Sequence, residues 1–412
     1  MQIPSTPARF PTLGLAVLAA AIFVSITGEF LPTGLLPDMA RDLRVSEAQV
    51  GLLITVFAGT VVIATAPLAA LTRKYPRHTL VIAVLCLNAL ATLGSALAPS
   101  YEFLVAARVV AGVAHGLFWA CVGAYPAHLV EPRKLGKAMA ITGAGGSAAF
   151  VLGVPLATAL GHAVGWRIAF LIIAAIMVVC AALVWKLLPT VAHGVPLSTG
   201  EIALPLRRDS TVPTVLAFCV VIIVIIAGQN LFYTYIAPYI IGPLGFDASA
   251  VGPLLFLYGG AGIIGLLLAG MAASRFPVLA IVVTGAGSAV ALIGLAVFAG
   301  VPWAVIALLI FWGILQGFVA PLYQTHMMQI ASLRVRDNAS AWMTTAFNVG
   351  IGGGALVGAL ILGSLGLETL PWIGAVTMLV GVVIAVVMEA TRRPAKGSRA
   401  SASVNATQST SI

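Results

Sequence analysis

VGLLITVFAGTVVIATAPLAALTRKYP, residues 50–76, and VGPLLFLYGGAGIIGLLLAGMAASRFP, residues 251–277, are one pattern written twice, 201 positions apart. Val50-Gly51 falls on Val251-Gly252, Phe57 on Tyr258, Gly59 on Gly260, and Lys74-Tyr75-Pro76 on Arg275-Phe276-Pro277. Each stretch is an apolar run long enough to cross a bilayer, closed by a basic residue, an aromatic and a proline. The same offset, without a gap, carries Pro37 onto Pro238, Gly112 onto Gly313, Gly116 onto Gly317 and Gly153 onto Gly354. Apolar coincidences are cheap in such a chain, but a basic-aromatic-proline loop and paired glycines at one register are not. The chain is two parallel repeats.

Working outward, apolar runs lie at 12–37, 48–71, 79–98, 103–125, 137–160 and 167–188, then at 213–239, 249–272, 277–299, 302–325, 337–362 and 369–389. The polar stretch 193–212 separates the two sets of six. The expected organisation is therefore a short tail (1–11), a six-helix bundle (12–188), a linker (189–212), a second six-helix bundle (213–389) and a basic, low-complexity tail (390–412) read as disordered. The first run continues past signal-peptide length and reads as a retained helix. Composition agrees: of 412 residues 61% are hydrophobic and 8% charged, which excludes a soluble globular enzyme. An outer-membrane barrel would show short alternating strands instead. The fold class is an all-α membrane protein of twelve helices in two pseudo-symmetric bundles.

Of the 21 Lys and Arg, 17 fall at the chain ends and in the loops after the even-numbered runs, while Arg41, Arg44 and Arg167 lie on the other side and Arg108 inside a run. The positive-inside rule then places both termini in the cytoplasm, in a multi-pass protein of a bacterial inner membrane. That distribution also accounts for the net charge of +9 without nucleic acid. Cys86, Cys121, Cys180 and Cys219 sit in apolar runs with no CxxC spacing, so neither a metal site nor a disulfide framework is expected. No GxSxG, HExxH or paired intramembrane Asp argues for an enzyme. Two parallel six-span repeats are instead an architecture of secondary transporters, with the substrate path between the bundles.

Three segments then resemble the major facilitator superfamily. The run Gly28 to Asp38, followed by Asp42-Leu43 and Val45-Ser46, resembles the opening of bacterial twelve-span drug and sugar efflux permeases. Arg108 to Gly116 resembles the embedded-arginine motif that antiporter branches use in proton coupling. The third segment, Gly143 to Gly153-Val154-Pro155 with Gly165-Trp166-Arg167 after it, resembles the antiporter motif, its Gly-Pro pair split by Val154. The loop Leu71 to Arg77 keeps the basic residues of the superfamily's gating loop, Arg73, Lys74 and Arg77, with Thr72 where Asp is commonest. The resemblance implies cargo among amphiphilic drugs such as chloramphenicol, sugars and nucleosides.

The residues point to chemistry independently. Eleven of the twelve acidic residues sit at run ends or in loops, leaving Glu29 at depth, roughly 12 Å from its helix end. Arg108 lies about 10 Å down its own helix, so the two reach similar depth. An ionisable residue there is by default a functional candidate. Two readings stand open: proton exchange at Glu29 tuned by Arg108, or a structural Glu29–Arg108 ion pair. Ser25 and Thr33 extend a polar line along the Glu29 face. Arg108, Gly112, His115 and Trp119 form a stripe on span four, where His115 is either a proton relay or a neutral hydrogen-bonding side chain.

At the repeat offset Glu29 maps to Asn230, Arg108 to Leu309 and His115 to Gln316, which puts coupling in the first half. Gln229, Asn230, Tyr233 and Thr234, with Gln316 and Tyr323, are candidates to line an uncharged hydrogen-bonding pocket, joined by Asn348, Phe57 and Tyr258. Simple interhelical hydrogen bonding is the other reading of each. The Gly350, Gly354, Gly358 series reads as close helix packing, and His326 as a residue at the solvent or headgroup boundary. The sequence reading is a monomeric, cofactor-free, proton-driven efflux antiporter of a small solute, with an uptake symporter or a non-transporting membrane protein as alternatives.

Overall fold

The computed structural model describes residues 10–72, 74–123, 125–190, 209–332 and 334–391. Arg73, most of the two tails and most of the linker therefore lie outside the described residues. Among the described residues twelve helices are long and apolar enough to cross a membrane. They are α1 (Thr12–Leu43), α2 (Glu47–Leu71), α3 (Arg77–Ala96), α4 (Tyr101–Val122), α5 (Leu135–Val164) and α6 (Trp166–Leu187). The second six are α7 (Val212–Tyr233), α8 (Val251–Arg275), α9 (Pro277–Val297), α10 (Pro302–Ile330), α11 (Arg336–Leu365) and α12 (Leu370–Thr391). In lipid every backbone N–H and C=O must be satisfied within the chain, and helices do that locally.

The caps are written in the sequence. Ser46 opens α2 with a reciprocal capping box to Gln49, and Ser100 caps α4 by accepting from the Phe103 N–H. Pro277 and Pro302 start α9 and α10, where a missing N–H does no harm. Pro37 does not end α1: the helix continues through Asp38 and Asp42 to Leu43, lifting a polar last turn beyond the apolar run.

The repeat holds at the level of atoms. A Cβ added to Gly112 would stand against the Phe57 carbonyl, and one added to Gly313 against the Tyr258 carbonyl, the equivalent atom 201 residues on. Gly116 and Gly317 repeat the relation with the carbonyls of Val61 and Gly262. Thus α4 packs on α2 as α10 packs on α8, backbone to backbone through small residues. Gly350, Gly354 and Gly358 of α11 lie against the α7 backbone in the close packing their spacing predicts. Among the described residues the positive φ angles form two pairs at the same offset: Arg44 (55°) with Gly245 (72°), and Gly165 (92°) with Gly366 (86°). Each pair marks a sharp turn where a left-handed residue redirects the chain.

The bundles meet on the half of the molecule away from the chain ends. There Thr55 Oγ1 of α2 donates to the Gly352 carbonyl of α11 at 3.0 Å, and the Tyr235 ring fills the space over Gly51. On the opposite seam α8 packs on the second part of α5, with Gly252 against Ala159. The first part of α5, Leu135–Ala148, instead turns Gly143, Gly146 and Ser147 to a central cavity that extends from mid-membrane towards the face carrying the chain ends.

Candidate functional site

The cavity between the bundles measures about 430 Å³. Of the residues singled out in the sequence, Glu29, His115, Trp119 and Gly143 line one wall, and Gln229, Asn230, Tyr233, Tyr258, Gln316 and Asn348 the other. The remainder are placed otherwise. Ser25, Phe57 and Arg108 are buried behind the first wall, Thr33 is buried higher on α1, and Thr234 and Tyr323 are buried in the second bundle. Of these, Ser25, Phe57, Thr33, Thr234 and Tyr323 were candidates for contact with a solute, and in this structure they stand behind the cavity lining.

The first wall is built from proline chemistry. Pro32 has no N–H, so the Gly28 carbonyl four residues earlier loses its helical partner deep in the membrane. Arg108 supplies the replacement: Nη1 donates to the Gly28 carbonyl at 3.1 Å and Nη2 to the Glu29 carbonyl at 2.9 Å. The guanidinium also lies over Phe57 and Phe170, 5.3 and 5.7 Å from the ring centroids. Of the two readings left open, the direct Glu29–Arg108 ion pair is not formed in this structure, since the arginine is spent on the α1 backbone. Depth alone brought the two residues together in the sequence reading, and Pro32 decides which oxygens the arginine takes.

The Glu29 carboxyl turns instead to His115, with Oε2 standing 3.3 Å from Nε2. The imidazole is held on both nitrogens: Nδ1 lies 3.0 Å from Ser25 Oγ, and Trp119 Nε1 donates to Nε2 at 2.7 Å. Asn88 of α3 donates to Ser25 Oγ at 3.2 Å, and the Phe57 ring sits edge-on to His115 at 5.1 Å. Asn88 escaped the sequence reading, and its signal was a lone amide at depth in span three.

The second wall offers hydrogen-bond acceptors. Asn230 Nδ2 donates to the Ile226 carbonyl and Asn348 Nδ2 to the Thr344 carbonyl, each at 3.0 Å, which leaves their Oδ1 atoms. Gln229 Oε1 and Gln316 Oε1 are buried without a partner among the described residues. Beside them Tyr233, Tyr258 and Trp312 form an aromatic cluster, tilted or edge-on, with centroids 4.8 to 6.0 Å apart. An unpaired buried acceptor costs about 1–3 kcal/mol, so each of these oxygens would gain by turning to an O–H or N–H donor.

The motif residues have structural tasks. Before Pro155, α5 contains a π-helical turn, Ala149–Gly153, which the sequence did not announce. Such turns concentrate at functional sites, and this one sets Phe150 and Val151 into the cavity wall, with Phe150 on Phe30 at 5.0 Å. Gly153 leaves room for Thr27 and Phe23 of α1, and Pro155 is buried. At the loop after α2, Lys74 lies over Tyr75 at 5.4 Å, and Arg77 Nη1 donates to the Ala120 carbonyl in the last turn of α4 at 3.2 Å. Arg77 therefore caps a helix in its own bundle, where a cation suits the carbonyl end. His326, expected at the boundary, is buried with its ring edge-on to Phe218 at 4.7 Å.

Comparison with known proteins follows this geometry. A family model described as Major Facilitator Superfamily matches residues 18–353 and 218–410. A probable sugar efflux transporter of Helicobacter pylori is 30% identical over 370 residues, covering 89% of this chain and 92% of that protein. One of Mannheimia succiniciproducens is 29% identical over 372 residues, covering 90% and 92%. A solved bacterial homologue of the human lysosomal transporter Spinster, inward-facing and occupied, superposes with TM-score 0.73 at 15% identity, covering 95% of this chain and 100% of that one.

Proposed function

The chain belongs to the major facilitator superfamily, and from that premise we propose that this multi-pass transporter exports neutral, hydroxyl-rich solutes of the sugar class in exchange for protons. The observation that carries the reading is the contrast between the two cavity walls. One holds an intramembrane carboxyl against a histidine, and the other holds four amides, Gln229, Asn230, Gln316 and Asn348, of which Gln229 and Gln316 have a buried oxygen without a partner among the described residues. Hydroxyl groups are donors that such oxygens accept, and aromatic faces beside them suit the apolar face of a sugar ring. The names of the relatives support the same class.

In this reading the membrane is the bacterial inner membrane with both chain ends in the cytoplasm, a topology supported by the lysine and arginine count. The transporter works as a monomer without a bound cofactor, drawing on the proton gradient. Glu29 is the exchangeable carboxyl. Arg108 and Pro32 hold its helix in shape, and His115 is the side chain that its carboxyl faces. Cargo enters the cavity from the face bearing the chain ends, and the bundles rock to expose it opposite.

The test is transport of 4-nitrophenyl β-D-galactoside in proteoliposomes under an imposed proton gradient. Galactoside and protons are expected to move in opposite directions, and Glu29→Gln to stop the coupled movement while the protein still folds. Movement of both in one direction would replace export by symport, and coupled exchange that survives Glu29→Gln would overturn the role of the carboxyl.

A further inference from the structure

Hydrogen-bond arithmetic at His115 reaches beyond the role of Glu29. An indole N–H only donates, a neutral imidazole has one donor and one acceptor nitrogen, and a carboxyl donates only while it holds its proton. Trp119 Nε1 lies 2.7 Å from His115 Nε2, so the Nε2 lone pair is taken by the indole. The imidazole proton then sits on Nδ1 and is donated to Ser25 Oγ, 3.0 Å away. With Trp119 in place His115 has no N–H to offer the carboxyl 3.3 Å from Nε2, and Glu29 fits there as the neutral acid.

Removal of the indole reverses this. Nε2 becomes free to take the Glu29 proton: the carboxyl O–H bond breaks and an Nε2–H bond forms. The Nδ1–H bond of the resulting imidazolium then breaks and its proton passes by way of Ser25 Oγ, 3.0 Å away, to water. His115 ends neutral with Nε2–H donated to the carboxylate, and Ser25 Oγ–H turns to donate to Nδ1. The groups that face Glu29 permit the exchange. Arg108 is held on the α1 carbonyls, Asn88 is neutral, α6 presents Met177 and Ile173 at Gly28, and across the cavity stand the phenols Tyr233 and Tyr258.

Trp119 also lines the cavity. We propose that Trp119 couples cargo to the proton: an acceptor oxygen of the solute draws the indole N–H off His115 Nε2 and so releases the proton of Glu29. Trp119 is a positioning residue in this scheme. The proposal rests on the proton-coupled reading above, adding the side chain through which cargo is felt.

Two measurements on the purified full chain decide it. The first needs no cargo: ¹⁵N resonances of labelled histidine, with His115 assigned through His115→Asn, report the tautomer. Wild type is expected to show the proton on Nδ1, and Trp119→Phe, which keeps a ring but drops the donor, to move it to Nε2. An Nε2–H tautomer in wild type overturns the proposal. The second is proton release in weak buffer on adding 4-nitrophenyl β-D-galactoside. About one proton per bound molecule is expected from wild type, and at least about five-fold less from Trp119→Phe, with affinity held within about ten-fold. Release from Trp119→Phe equal to wild type, with none from Glu29→Gln, sinks the role of Trp119 and spares the reading of Glu29. Binding without release in wild type sinks both. Absence of galactoside binding removes the sugar class, and the tautomer result still decides the Trp119 contact.

Discussion

The two bundles share one backbone plan and differ at nearly every polar position around the cavity. Where the first has Ser25, Glu29, Asn88, Arg108, His115 and Trp119, the second has Ile226, Asn230, Ala289, Leu309, Gln316 and Ala320 at the same register. The differences are linked by mechanics. Pro32 corresponds to Tyr233, which carries an N–H and is the last residue of the helix α7, and the Gly28 carbonyl corresponds to that of Gln229. The second bundle therefore leaves no stranded carbonyl that needs a guanidinium, and Leu309 suffices. The comparison teaches how a duplicated scaffold diverges: helix packing through glycine is kept in both halves, while ionisable side chains gather in one and neutral amides in the other.

The sharpest way to break the contrast is to neutralise one side of it. Glu29→Gln should lower coupled galactoside exchange by about 100-fold or more, measured as proton-driven flux. Asn230→Leu at the mirrored depth should weaken binding by about ten-fold, the worth of about one hydrogen bond, and leave the number of protons per cargo unchanged. Equal effects of the two on proton number would erase the contrast.

Arg108→Leu copies the second bundle into the first without its compensating Tyr233. The Gly28 carbonyl then loses its donor, and a destabilisation of about 1–3 kcal/mol is expected, read as loss of monodisperse protein on heating in detergent. The double variant Pro32→Ala with Arg108→Leu restores a helical N–H to the Gly28 carbonyl and should recover part of that loss. No recovery would refute the link between the proline and the arginine.

Glycines common to both halves sharpen what is shared. Gly112→Ala and Gly313→Ala push a methyl into the carbonyls of Phe57 and Tyr258, and each should cost about 1–3 kcal/mol. Gly59→Ala and Gly260→Ala meet nothing within 4 Å and should gain up to about 1 kcal/mol from helix propensity. Thermal midpoints of the four variants test whether the repeat is energetic as well as geometric.

The smallest effect concerns a tie found at the start of the second bundle, outside the membrane. Asp209 accepts from Thr211 Oγ1 and N at 2.6 and 2.9 Å and from Ser332 Oγ at 2.7 Å. These bonds, with Arg334 contributing less, hold its carboxyl below the ordinary value of 3.8. A carboxyl lowered in the folded state stabilises above its unfolded value and loses that contribution as pH falls through the folded one. Ser332→Ala should therefore lower the melting temperature slightly at pH 7, and the difference should shrink below about pH 3.8. A difference that persists unchanged in acid would assign the effect to packing.

Much of this was legible in the chain. Apolar runs of membrane length predict every span, because lipid forces the backbone to satisfy itself within each helix. The 201-residue register predicts the pseudo-symmetry, and Glu29 and His115 stand out because a titratable group at depth needs a reason. The partners of those groups were not legible. Glu29 meets His115 while Arg108 takes backbone carbonyls, Arg77 donates to the end of α4, and the π turn at Ala149–Gly153 sets Phe150 in the cavity wall.

The physical reason lies in the range of each force. Burial of apolar side chains and backbone satisfaction act along the chain with the period of a helix, so sequence alone determined the twelve spans, their division into two repeats and the depth of each polar residue. Which atom meets which depends on helix rotation to within a few tens of degrees and on separations of an ångström or two. Only the packed bundles decided that Arg108 serves a carbonyl stranded by Pro32, and that Trp119 and Glu29 contend for one nitrogen of His115.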